Sequence, residues 1–215
     1  MTDARPLALV TTEVLDYPPE PWELRGQLQA SLFLVPLTNI PVDLPPGCRP
    51  VRLGQRGVVA AVWVAYEAGR MPDYRELMTT LLVRRGLRLL PTITQIWVDS
   101  PVSRAGGRAL WGIPKELASF VFDAAQLSAR DEGGPLATAT VRPALRLPGR
   151  WPLRFSVVQR LAGQAKISAV RSTARVAFAH ATFDADPSGP LAFLAGCRPV
   201  ISVTLGDFRM TFGGR

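Results

Sequence analysis

One charged residue in this chain stands in unusually apolar company. Lys115 lies in GGRALWGIPKELASF, residues 106–120, directly after Pro114 and framed by Trp111, Ile113, Leu117 and Phe120. Of the 25 basic residues, Lys115 and Lys166 are lysines and the other 23 are arginines. A primary amine can attack a carbonyl and condense to an imine; a permanently charged guanidinium cannot. The amine must first lose its proton, since a free lysine titrates near ~10.4. Apolar neighbours help, because desolvation disfavours an ammonium ion. Pro114 fixes its own φ and pushes Ile113 toward extended backbone, so Lys115 starts from a stiff stretch. Spacing alone equally allows a lysine whose stem packs on the core while its amine reaches water.

The residue inventory removes most other chemistries. His180, in VAFAHATF, is the single histidine, and its apolar setting predicts a core or barrel-lining residue. With one histidine and two distant cysteines, Cys48 and Cys197, the usual zinc ligand sets cannot be assembled. The cysteines read as buried free thiols rather than a disulfide framework. No G-x-S-x-G elbow and no G-x-G-x-x-G dinucleotide loop is present. Amine chemistry, carboxylate chemistry or no catalysis remain.

The elements that must position the lysine are mostly strands. Apolar and β-branched runs predict strands at 28–35, 57–65, 77–83, 92–98, 118–124, 136–142, 153–161, 174–183, 199–205 and 208–213. Turn chemistry separates them at 131–135, 146–152 and 184–190. Many short strands at even spacing suggest a sandwich or barrel. The best helix runs from Pro101 to Trp111, with Ser100 as cap and Pro101 in the first helical position, although Gly106 and Gly107 weaken it. A short helix is expected around 191–195.

The 215 residues suit one domain, 1–215, with residues 1–22 as a Pro-rich extended segment over the surface. Hydrophobic content of 47% and charged content of 20% are ordinary for a globular chain. No apolar run approaches the ~18 residues of a membrane helix, and no secretory leader is evident, so a cytoplasmic protein without membrane partners is expected. The net charge of +8 raises the question of nucleic acid. The arginines are spread along the whole chain and no nucleic-acid signature accompanies them, so no nucleic-acid partner is expected.

GGRALWGIPKELA resembles the signature of the acetoacetate decarboxylase-like family, in which a Gly-Arg pair is followed seven residues after the arginine by the Schiff-base lysine. Here the pair is Gly107-Arg108 and the lysine is Lys115. TITQIWVDSPVSRAGGR resembles the strand and helix leading into the motif. YRELMTTLLV, residues 74–83, resembles the segment carrying an active-site glutamate, which falls on Glu76. The resemblance is closest over residues 57–125. PWELRGQ and LPPG, at 21–27 and 44–47, are weaker echoes.

Four positions depart from the family pattern. The residue after the Gly-Arg pair, often Glu in relatives, is here Ala109. Glu116 stands where the decarboxylase has a second lysine, and a carboxylate close to the amine would hold it charged. Ala61 aligns with a second family glutamate. Gln27 aligns with an arginine that holds the substrate carboxylate, with Arg25 two residues away.

The resemblance implies a mainly β fold (β-rich α+β), an antiparallel β-barrel or cone with few short helices. It implies a lyase that forms a Schiff base through Lys115 with a small keto acid, for decarboxylation or related aldol and dehydration chemistry. Glu76 is then the proton-transfer group. Trp111 and Ile113 shape the pocket, Arg25, Arg108 and Glu116 are candidate substrate contacts, and Arg108 equally reads as a tie between helix and strand. No metal or organic cofactor is required, and a homo-oligomer is expected. The alternative is a catalytically inactive relative that binds a small acidic or apolar ligand.

Overall fold

The computed structural model describes residues 16–41, 43–123 and 126–214. Its strands are β1 (Trp22–Pro36), β2 (Arg49–Pro50), β3 (Arg52–Leu53), β4 (Arg56–Tyr66), β5 (Tyr74–Arg85) and β6 (Arg88–Val98). Helix α1 (Pro101–Trp111) follows, then β7 (Lys115–Leu117), β8 (Ser119–Phe122), β9 (Gln126–Asp131) and β10 (Gly134–Arg146). The chain continues through β11 (Trp151–Leu161), β12 (Gln164–Ala185) and β13 (Ile201–Phe212). The expected helix near 191–195 is a single 3-10 turn, Ala192–Leu194. No helix among the described residues is long and apolar enough to cross a membrane.

The strands form one sheet in the order β7-β6-β5-β4-β1-β13-β12-β10-β9-β8, with β11 on β12, β2 on β5 and β3 on β4. The expected closed barrel is not what forms. The two ends of the path, β7 and β8, are consecutive in the chain and separated by Ala118 alone. The first pairs with β6 and the second with β9, at different places along one extended segment. No residue of that segment is flanked on both sides, so the ladder stays open. The sheet is also not wholly antiparallel, because β6 and β7 run parallel.

The pleat sorts the side chains of β4 and β5 between two apolar environments. Val59, Ala61 and Trp63 of β4, with Leu77, Leu81 and Val83 of β5, enter the largest core cluster beside Phe33, Leu136, Val158 and Phe183. Val58, Ala60 and Val62, with Glu76, Met78, Thr80 and Leu82, face the opposite way and line a cavity. Both faces being apolar explains why these strands read as nearly continuous hydrophobic runs.

β11 closes one side of this cavity through a single buried residue, Gln159. Its Oε1 accepts from Thr92 Oγ1 at 2.7 Å and Ile93 N at 3.0 Å, and its Nε2 donates to the Ile93 carbonyl at 3.0 Å. These bonds hold β11 against β6, with which it shares no ladder. Phe155 and Val157 of β11 thereby reach the cavity wall.

Two inventory expectations change. His180 is exposed, because its strand position in β12 falls on the solvent side opposite Arg142. Cys48 and Cys197 are free but only half-buried at the margin of the core. Of the 1–22 segment, residues 1–15 lie outside the described residues, and Trp22 is buried.

Candidate active site

Helix α1 begins where Ser103 N donates to Ser100 Oγ at 3.2 Å, with Pro101 in the first turn, and Gly112 ends it at φ 67°. The paired glycines inside it have a packing reason. A Cβ at position 106 would lie 2.5 Å from the Trp22 ring, and one at 107 would lie 2.8 Å from Cδ of Lys115. The helix therefore presses against Trp22 and leaves a slot for the lysine stem. A glycine inside a helix costs about 1 kcal/mol against alanine, and here it makes the close approach possible.

Lys115 threads that slot and ends buried, 5% exposed. Its Nζ donates to Glu76 Oε2 at 2.8 Å and to Ser103 Oγ at 2.9 Å. It also stands 5.5 Å from the centre of the Tyr74 ring. Glu76, 2% exposed, accepts at its other oxygen from the Tyr66 hydroxyl at 3.1 Å. Tyr66 and Tyr74 stack with ring centres 4.3 Å apart. Burial holds both phenols well above their ordinary value of 10, and the Glu76 charge adds to it. Tyr66 thus remains a neutral donor to the carboxylate.

The amine opens into a cavity of about 560 Å³. Trp111 and Ile113 are in its wall. The Trp111 ring is fixed edge-on between Trp22 and Phe212, each 4.8 Å away between centres. Its indole N–H donates to Glu20 Oε2 at 2.8 Å, and Glu20 Oε1 accepts from Lys166 at 2.9 Å. The second lysine therefore braces the cavity wall from outside. The Lys166 hydrogen bond outweighs partial burial and holds the Glu20 carboxyl below its ordinary 4.5.

The other candidates lie elsewhere. Glu116 points away from the amine, as adjacent strand residues must, and pairs with Arg108 at the surface. Arg108 also donates from Nε to the Lys115 carbonyl at 2.7 Å, which ties α1 to β7. Arg25 is exposed, donates to the Ala68 carbonyl at 2.7 Å, and lines a separate cleft of about 410 Å³. Tyr66 stands in the walls of both spaces. Gln27 is exposed, and Ala61 faces the core rather than the cavity. β4 offers the cavity no carboxylate at all.

Sequence reasoning missed Ser103, Tyr66 and Tyr74. Ser103 had a local signal, since it lies four residues before Gly107 on the same helix face. The tyrosines had none, because they meet only when β4 and β5 pair.

A buried lysine hydrogen-bonded to a carboxylate, at the end of an apolar cavity over a mainly β sheet, is an arrangement suited to imine chemistry. The family model for acetoacetate decarboxylase (ADC) matches residues 39–177, and the chain belongs to that family. The enduracididine biosynthesis enzyme MppR complexed with pyruvate is similar in structure, with a TM-score of 0.68 and 17% identity over 95% of this chain and 93% of that one. An acetoacetate decarboxylase-like enzyme from Sphingomonas wittichii RW1 has a TM-score of 0.64 and 12% identity, covering 92% of each chain. Acetoacetate decarboxylase from Legionella pneumophila has a TM-score of 0.62 and 16% identity over 92% of this chain and 86% of that one. At these identities the likeness is one of fold. No curated protein matches the chain.

Proposed function

We propose that the protein is a lyase that holds a keto acid as an imine on Lys115, with Glu76 moving the protons. The observation that carries this reading is the buried Lys115 amine, 2.8 Å from Glu76 and open to an apolar cavity. One proton transfer across that contact turns an ammonium and a carboxylate into an amine and a carboxylic acid. The amine lone pair then attacks the substrate carbonyl. Glu76 gives its proton to the oxygen and relays a second one from the attacking nitrogen, so the oxygen leaves as water and the nitrogen keeps one hydrogen as an iminium. In decarboxylation, the bond to the carboxylate breaks and its electron pair moves into the iminium, giving an enamine and CO₂. Protonation of the enamine carbon and hydrolysis by water release the ketone and restore the lysine.

Ser103 and Tyr66 orient the pair, one on the amine and the other on the carboxylate. MppR in complex with pyruvate supports a keto-acid ligand for this cavity. MppR has also been captured with the condensation product of pyruvate and an aldehyde, and aldol chemistry shares the same imine.

The test is intact mass after borohydride reduction in the presence of acetoacetate or pyruvate, beside Lys115→Ala. A stable adduct on the wild-type chain and none on the variant is expected. A second reading, a relative that binds without turnover, is favoured because the described lining residues include neither a second carboxylate nor an arginine. Absence of any adduct from neutral to alkaline pH would decide for it.

A further inference from the structure

The cavity is shaped for far more than a four-carbon acid. Its lining recurs at every second residue along neighbouring strands, at Leu28, Ala30 and Leu32, at Val58, Ala60 and Val62, and from Glu76 through Met78 and Thr80 to Leu82. The strand register aligns these rows. Val64 pairs with Glu76 at one end, and Val59 pairs with Leu81 at the other. Lys115, Glu76, Tyr66 and Tyr74 are together at the first end. Leu32, Val58, Leu82 and Leu89 are at the second. Six residue steps from Glu76 to Leu82 make a trough about 20 Å long.

Among the described residues, polar groups converge at the lysine end. Lys115 and Glu76 are the charged lining residues, and each is bonded to the other. The indole N–H groups of Trp22 and Trp111 are directed to Pro18 O and Glu20, away from any ligand. Beyond them the described residues of the trough offer one hydroxyl, Thr80, among aliphatic and aromatic side chains. A polar substituent placed there would lose water without gaining a partner. At the far end Leu89 and Phe155 are 61% and 49% exposed, leaving apolar surface that an inserted chain would cover. A volume of about 560 Å³ is in the range of small-molecule pockets.

The geometry points to a β-keto acid bearing a long unbranched apolar chain as the substrate class, of roughly fifteen carbons at about 1.25 Å per carbon along the trough. The carbonyl carbon lies at Lys115 and the tail runs along β1, β4 and β5. This inference rests on the imine reading above and extends it. The balance of the reaction is unchanged: the acid and one proton give CO₂ and a methyl ketone that carries the same tail. With no arginine among the described lining residues, the counter-charge these residues offer the substrate carboxylate is the iminium. Loss of CO₂ removes both charges from an apolar site.

The test is a straight-chain series of β-keto acids from acetoacetate upward, scored by the rate of borohydride trapping at limiting acid. Each methylene that enters the trough is expected to raise that rate about four-fold, with a plateau near the length of the trough. Ala60→Phe places a ring halfway along it. That variant is expected to lower the ratio of long-chain to acetoacetate trapping at least about ten-fold, the worth of one or two lost methylenes. A flat or falling profile, with adducts present, overturns the long-chain substrate and leaves the imine reading intact. An unchanged ratio in Ala60→Phe overturns the placement of the tail. No adduct with any acid removes the imine reading itself.

Discussion

Gly107 and Lys115 occupy one space: a Cβ on the glycine would lie 2.8 Å from Cδ and 2.9 Å from Cε of the lysine. Helix propensity favours alanine at such a position by about 1 kcal/mol, and the lysine stem opposes it. Gly107→Ala is expected to displace the amine from Glu76 and Ser103, slowing imine trapping. The overpacking cost of about 1–3 kcal/mol exceeds the gain in propensity, so denaturant melts should show net destabilisation. Wild-type trapping with unchanged stability would show that the stem is free to move.

Glu76→Gln separates imine formation from proton transfer. The amide keeps a hydrogen-bond acceptor near Nζ but cannot carry the proton. Turnover of a trappable acid is expected to fall about 10²- to 10⁴-fold, more than the trapped yield falls. Glu76→Ala also leaves the buried ammonium without a counter-charge, at a cost of about 3–5 kcal/mol in stability. Turnover by Glu76→Gln at the wild-type rate would remove the carboxylate from the chemistry.

Arg108 and Glu116 make a surface pair, with side chains 46% and 59% exposed. Glu116→Ala is expected to cost at most about 1 kcal/mol and to preserve trapping, because that carboxylate faces away from the amine. Arg108→Ala should cost more, since its Nε also holds the Lys115 carbonyl. A double-mutant cycle separates the two terms. A large loss of trapping in Glu116→Ala would mean that the carboxylate does reach the cavity.

Acid and alkali should act at different places. The Glu20 carboxyl sits below 4.5 in the folded chain. Its contribution is therefore complete above that value and is lost as pH falls through the folded value. Melting temperature should drop on acidification, with a change in tryptophan emission as the acceptor of the Trp111 N–H loses its charge, and Glu20→Gln should flatten the slope. Tyr66 and Tyr74 are held well above 10. The unfolded phenols then ionise first, so stability declines as pH rises past 10. In an ultraviolet titration these two tyrosines should ionise only as the chain unfolds. Early ionisation of both would contradict their burial.

Local grammar was enough for much of this protein. Ser100 and Pro101 begin α1 where their chemistry predicts, because a cap depends on a few neighbouring residues. The strand cores from 28 to 98 were legible in their β-branched runs, and the Gly-Arg to Lys115 spacing marked the family that the 39–177 match bears out. Tertiary structure decided what lies between elements. The sheet stays open because the Lys115–Phe122 segment pairs with different strands at its two ends, a relation that no local pattern encodes. The meaning of Gly107 appears only when the lysine stem returns to the helix. Tyr66 joins Glu76 across a strand pairing, Glu116 turns outward with the pleat, and Arg25 goes to a separate cleft. Amino-acid type singled out the candidate amine, while its partners were set by register and side-chain direction, which exist only once the sheet has formed.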